Sequence, residues 1–102
     1  MSYLSGVERI AAERARHKSP LGENYSDEHD DELTNSELIQ AAVSYAINAD
    51  VEAGEGLSDS PPAIWPWDAE AWKPKSRIRD LDRAGALIAA EIDRLTRAGE
   101  TP

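Results

Sequence analysis

Thr34-Asn35-Ser36-Glu37-Leu38-Ile39-Gln40-Ala41-Ala42-Val43-Ser44-Tyr45-Ala46-Ile47-Asn48-Ala49 is the stretch on which the fold turns. Thr34 to Glu37 has the spacing of a capping box, in which a hydroxyl accepts the N–H three residues on and the carboxylate reaches back. The helix predicted from it, Asn35 to Ala49, is apolar along two lines. Leu38, Ala42, Tyr45 and Ala49 make one; Ile39, Val43 and Ile47 make the other, offset around the axis. Apolar residues over that much of the circumference call for contact on two sides. So short a chain offers few partners within one subunit. A homo-oligomer is therefore expected, most simply a dimer, with Leu38, Ile39, Val43 and Ile47 or the thin face around Gly85 at the contact.

Two further helices bracket this one. Ser5-Gly6-Val7-Glu8 is a capping box, and a helix follows through about Arg16, with Leu4, Val7, Ile10 and Ala11 as a narrow apolar stripe. Pro20 and Gly22 end it, and an acidic loop with one helical turn near Glu28 to Glu32 comes next. After the central helix, Asp50 to Ala63 holds Gly54, Gly56, two serines and Pro61-Pro62 among acidic residues, the composition of a solvated, mobile loop. Ser76 is an N-cap for the last helix, Arg77 to Arg97, and Gly99 closes it. Ile78, Leu81, Ile88, Ile92 and Leu95 form one apolar face of that helix. Ala84, Gly85, Ala86, Ala89 and Ala90 make its middle thin enough for close approach by another helix. There are no repeats and no good strand candidates. The expectation is an all-α fold: one domain over residues 1–102, three main helices, an acidic loop and a Trp/Pro-rich connecting segment.

With 102 residues and 40% hydrophobic content, the chain supports one modest core. It has no cysteine, so no disulfide, thiolate metal site or cysteine nucleophile is available. No apolar run has the length of a membrane span or a signal-peptide core, and no basic leader precedes the first helix. Cytoplasmic residence is expected. The formal charge of −9 argues against a general nucleic-acid binder, because neutralising phosphates takes a basic surface. The charge is uneven, however. Glu23 to Glu37 and Asp50 to Asp59 carry carboxylates with no Lys or Arg, whereas Arg14 to Lys18 and Lys73 to Arg79 are locally basic.

All three tryptophans fall in Trp65-Pro66-Trp67-Asp68-Ala69-Glu70-Ala71-Trp72-Lys73-Pro74, and the chain has no Phe. Indole is the largest apolar surface a side chain offers, and the prolines stiffen the segment that presents it. Two readings stand. The rings cap a small helical core, or they form a platform beside cations, suited to a planar anionic ligand such as a nucleotide. The ligand-binding set read from this pattern is Trp65, Trp67, Trp72, Arg14, Lys73, Lys75, Arg77 and Arg79.

Glu28-His29-Asp30-Asp31-Glu32 is the one run with metal-ligand character. On a helical turn Glu28, Asp31 and Glu32 share a face, and with His29 they suit magnesium or manganese; the alternative is an exposed acidic loop. No tight metal site is expected. No glycine-rich phosphate loop, paired-His motif or catalytic triad pattern is present, and no catalytic residue is assigned.

An early Glu-Arg (Glu13-Arg14 or Glu8-Arg9), Glu28-His29-Asp30-Asp31, Glu37-Leu38 with Ala41-Ala42 and Tyr45-Ala46, Trp65-Pro66-Trp67-Asp68, Trp72-Lys73-Pro74 and Ala84-Gly85-Ala86-Leu87-Ile88 with Ala90-Glu91-Ile92 and Arg94-Leu95 together resemble a widespread group of small bacteriophage and prophage proteins of unassigned function. The chain departs from that pattern at Ala71, where the group usually has Trp, and at Asp82-Arg83, where it usually has Val-Lys. The resemblance implies a viral accessory protein in a bacterial cytoplasm. A fainter similarity, to all-α nucleoside triphosphate pyrophosphohydrolases of the MazG type, implies magnesium held by two acidic pairs, and only one pair is at hand here. Three functions follow in order. The first is a counter-defence protein that sequesters a nucleotide-type signal without catalysis or cofactor. The second is a magnesium-dependent hydrolase, and the third an acidic inhibitor of a host defence protein.

Overall fold

The computed structural model describes residues 3–50 and 60–102. Most of the loop expected between Asp50 and Ala63 lies outside them. Among the described residues four helices follow in order: α1 (Gly6–Lys18), α2 (Asp27–Asp31), α3 (Glu37–Ala49) and α4 (Arg77–Arg97), with one 3₁₀ turn at Ala69–Ala71. The described residues hold no strand, and the fold is all-α.

Local chemistry sets most helix ends. At α1 the Ser5 hydroxyl accepts the Glu8 N–H at 3.1 Å, while the Glu8 carboxylate accepts the Ser5 N–H at 2.8 Å. That reciprocal pair satisfies two donors that a helix start leaves open. The helix continues to Lys18, with Arg16, His17 and Lys18 in its last turn, where cations favour the carbonyl end of the dipole. At α2 and α4, Ser26 and Ser76 accept the N–H of His29 and Arg79. Gly99, just past α4, has a φ of +99°, the left-handed geometry that glycine adopts without strain.

The expected capping box at Thr34 does not form. Ser36 is the N-cap of α3, in a left-handed conformation (φ 68°), with no side-chain cap bond. The Glu37 carboxylate instead accepts the Asn35 N–H at 2.5 Å. Glu37 thus reaches back two residues, and the helix starts later than the sequence pattern suggests.

Helix α4 is the axis of the molecule. It carries α3 on one side, α1 on another and α2 near its C-terminal end, and α1 and α3 do not pack on each other. The core is Leu38, Ala41, Ala42 and Tyr45 of α3 against Ala84, Leu87 and Ala90 of α4, closed by Trp72. Alanine on both sides brings the α3 and α4 backbones close together.

The larger apolar residues of α4 point elsewhere. Ile78, Leu81, Ile88 and Ile92 stay 60, 50, 46 and 58% exposed. Of the expected oligomer contacts, Ile39 and Ile47 remain 39 and 54% exposed, while two others are taken up within the chain. Leu38 is only 3% exposed, inside its own core. The hollow at Gly85 is filled from within the chain: a Cβ there would meet the Ile10 Cδ1 at 2.5 Å. Neither is free for a second subunit. No helix among the described residues is long and apolar enough to cross a membrane.

Candidate ligand cleft

Because α1 and α3 both lean on α4 without touching each other, a cleft of about 470 Å³ opens between them. Its floor is Arg83, Leu87 and Ala90, at successive turns on one face of α4. One wall comes from α1, the loop that follows it and α2: Arg14, Arg16 and His17, then Tyr25, then His29 and Asp30. The other comes from Leu38 and Tyr45 of α3 with Trp65, Trp67 and Lys73 of the tryptophan segment. A volume of that size holds a small molecule, and aromatic walls with a few polar groups are what such sites usually offer.

The three tryptophans play different parts. Trp72 is 5% exposed and stacks on Tyr45 with centroids 4.8 Å apart, so it is core and does not line the cleft. Trp65 is half-buried, edge-on to Trp72 at 4.9 Å and to Tyr45 at 5.5 Å, and its indole N–H donates to the Asp68 carbonyl at 3.0 Å. Trp67 stands edge-on to Trp65 at 5.4 Å and is 37% exposed. The rings form a series from core to rim, and each fixes the next. Across the cleft, Tyr25 and His29 stack in parallel with centroids 4.6 Å apart.

Four cations and two carboxylates, Glu23 and Asp30, line the cleft, so it runs against the chain's overall charge. Arg14 pairs with Asp93 at 3.2 Å and lies 3.5 Å from Asp30, while its buried Nε has no hydrogen-bond partner among the described residues. Arg16 is engaged by Glu13 at 2.9 Å and Glu23 at 3.0 Å. Arg83 donates to the Lys73 carbonyl and lies over the Tyr45 ring at 5.4 Å. Lys73 itself is exposed. Burial pushes the Tyr25 and Tyr45 hydroxyls above their ordinary range, so both remain O–H donors at neutral pH. Burial, partly offset by Glu13, holds His17 below the usual imidazole value, which favours a neutral ring.

Of the eight ligand residues expected from sequence, Trp65, Trp67, Arg14 and Lys73 line the cleft; Trp72, Lys75, Arg77 and Arg79 do not. The last three serve the fold. The Lys75 backbone N–H donates to buried Asp80 at 3.0 Å, which ties the end of the tryptophan segment to α4. Arg77 donates to the Ala49 carbonyl at 2.7 Å and secures the end of α3. Arg79 bridges Glu13 and Asp82 at 3.1 and 2.9 Å.

The four candidate metal ligands do not converge, and among the described residues no three of His, Asp or Glu are placed to share a cation. His29 is committed to Tyr25 and to Asp30 at 2.9 Å, and Asp31 to Arg97 at 2.7 Å. Sequence reasoning missed Arg83. The signal was its spacing with Leu87 and Ala90, which marks a second packed face of α4.

No family model matches this chain, and no match was found among curated proteins or solved structures.

Proposed function

We propose that the cleft captures a nucleotide-type small molecule, with a planar base held among the rings and its phosphates against the cations. The observation that carries this reading is the joining, in one cleft of about 470 Å³, of aromatic rings from three segments with Arg14, Arg16, Lys73 and Arg83. Trp67 is the stacking ring, since it alone of the tryptophans is both at the cleft and substantially exposed. Arg14 and Arg83 are the phosphate contacts. A guanidinium offers more donors than its present partners use, and a charge-assisted bond to phosphate is among the stronger polar contacts. Such a base stack is worth about 1–3 kcal/mol, so neither the ring nor the cations suffice alone.

The setting is the one implied by the phage resemblance: a viral accessory protein that sequesters a defence signal in the host cytoplasm. Titration with cyclic dinucleotides and ADP-ribose derivatives, followed by tryptophan emission and melting temperature, tests it. The expected result is saturable quenching with a rise in melting temperature. Trp67→Ala should weaken binding roughly 10- to 100-fold while the fold survives. Chromatography of the recovered ligand distinguishes capture from turnover, and a cleaved product would favour the hydrolase reading. If no compound moves either signal, the reading falls.

A further inference from the structure

The two walls of the cleft repeat one composition. On the side built by α1, α2 and the loop between them, Tyr25 and His29 stack in parallel at 4.6 Å, with Arg14 and Arg16 beside them. On the other side Trp67 stands edge-on to Trp65 at 5.4 Å, with Lys73 at the rim and Arg83 over the Tyr45 ring at 5.4 Å. Each wall thus offers a ring backed by a second ring, together with two cations. Both leading rings keep open surface. Tyr25 covers one face of His29, yet the His29 side chain is 44% exposed, so its opposite face is uncovered. Trp67 is met at its edge by Trp65 and is 37% exposed. His29 is also held in orientation: its Nδ1 lies 2.9 Å from Oδ1 of buried Asp30, whose other oxygen is 3.5 Å from Arg14. A ring fixed before the ligand arrives loses little freedom when it binds.

We infer that the cleft is bipartite and that its ligand is a dinucleotide, with one base on each wall and the joining phosphates between Arg14 and Arg83. This rests on the reading of the cleft as a nucleotide site and specifies the ligand. A single base held between the walls would use both rings but only one pair of cations. The second ring-and-cation set gains a role when the ligand has a second nucleotide half. The halves are unequal. Both carboxylates of the cleft, Glu23 and Asp30, belong to the His29 wall, where they stand 3.0 Å from Arg16 and 3.5 Å from Arg14. Among the described residues no carboxylate lines the tryptophan wall, so its cations are the more available to phosphate. The tryptophan wall is therefore the stronger half, and the His29 wall adds to a ligand already held there. That second contact is made within the complex, where linkage of the two halves raises affinity without any further site. The walls themselves meet only through α4, so a ligand reaching both supplies a link that the chain lacks.

The test is calorimetry of the full chain with a nucleoside monophosphate, the cyclic dinucleotide and the linear dinucleoside polyphosphate, in the adenine and guanine series. In one series a dinucleotide should bind about 10-fold or more tighter than the monophosphate, since each base stacked on a ring adds about that factor. The cyclic and linear arms identify how the two halves are joined. His29→Ala should remove most of the advantage and bring the ratio of the two affinities toward one. His29→Phe, which keeps a ring and loses the bond to Asp30, should retain it. Trp67→Ala should weaken the monophosphate and the dinucleotide together. Circular dichroism should show the same helical content throughout, because both side chains are substantially exposed. A monophosphate that binds through Trp67 as tightly as either dinucleotide overturns the two-base inference and leaves the nucleotide reading standing. So does a dinucleotide advantage indifferent to His29→Ala. If no nucleotide of any kind binds, both fall together.

Discussion

Helix α4 meets α3 through Ala84, Leu87 and Ala90 against Leu38, Ala41, Ala42 and Tyr45, and it meets α1 largely through a chain of charges. On that second side Arg9 pairs with Asp82, Asp82 with Arg79, Arg79 with Glu13, and Glu13 with Arg16, all between 2.8 and 3.1 Å. The two seams hold by different physics. The apolar seam is non-directional and indifferent to pH, and its strength lies in close packing of small residues. The ionic seam is directional, and it is only as good as the charge on Glu13, which joins Arg16 and Arg79. The cleft inherits both. Its ring-bearing wall stands on the apolar seam, and its Arg14 and Arg16 wall stands on the ionic one. Conditions that weaken charges should therefore loosen the cationic wall first and leave the rings in place.

The largest expected effect breaks the apolar side. Trp72→Ala removes a ring stacked on Tyr45 and edge-on to Trp65, and should cost about 3–5 kcal/mol. Urea unfolding is the measurement, and the loss should be the same at low and high salt. A loss confined to ligand binding, with stability intact, would move Trp72 from the core to the site.

Next comes the ionic side. Glu13 is 3% exposed and serves Arg16, His17 and Arg79 together. Glu13→Ala leaves those groups without their shared partner and should cost about 3 kcal/mol, toward the lower end for a buried pair because both arginines reach solvent. Hydrogen exchange should speed up in α1 and stay slow in α3. Equal acceleration in both helices would show that the two seams are not separable.

The pH dependence separates them more finely. Burial opposes ionisation of Glu13, but bonds from Arg16 and Arg79 and the field of His17 outweigh it and hold the carboxyl at about 2, against an ordinary 4.5. Its contribution is thus complete above 4.5 and lost as pH falls toward 2. His17 is held below its ordinary 6.5, chiefly by burial. The unfolded chain takes that proton first, so this contribution is present above 6.5 and is lost as pH drops beneath it. Melting temperature should fall in two stages on acidification. Glu13→Gln should flatten the stage below pH 4.5, and His17→Asn the one just below 6.5.

Where the chemistry is local, the sequence is a good guide: the caps at Ser5 and Ser76 and the closure at Gly99 need only neighbours within a turn. The start of α3 escapes such reading because Glu37 has a closer donor in Asn35 than a capping box requires. Hydropathy also suggests that Ile78, Leu81, Ile88 and Ile92 face inward. Yet α3 packs on the alanines, since closeness between backbones selects small side chains over large ones. At the cleft, the ring cluster and Arg14 are visible as composition. The diversion of Arg79 is not, because its partner Glu13 is 66 residues away in the chain. Neither is the choice of Trp72 as the buried ring, which depends on Tyr45 across the core.

The smallest expected effect lies at the apolar contact within the α1–α4 seam. Gly85 is in the interior of α4, where replacement by Ala ordinarily gains up to about 1 kcal/mol of helix propensity. Its added methyl, however, would fall 2.5 Å from Ile10 Cδ1 and 2.7 Å from Cγ1, so much of that side chain must move rather than its tip alone. Overpacking of this kind costs about 1–3 kcal/mol. Gly85→Ala alone should therefore destabilise by up to about 2 kcal/mol, the propensity gain offsetting part of the clash. With Ile10→Ala already in place the clash is gone, and the same substitution should stabilise by about 1 kcal/mol. A double-mutant cycle read by urea unfolding checks the change of sign. If Gly85→Ala has one sign in both backgrounds, Ile10 does not rest on Gly85 and the α1–α4 approach is looser than the charges of the ionic seam require.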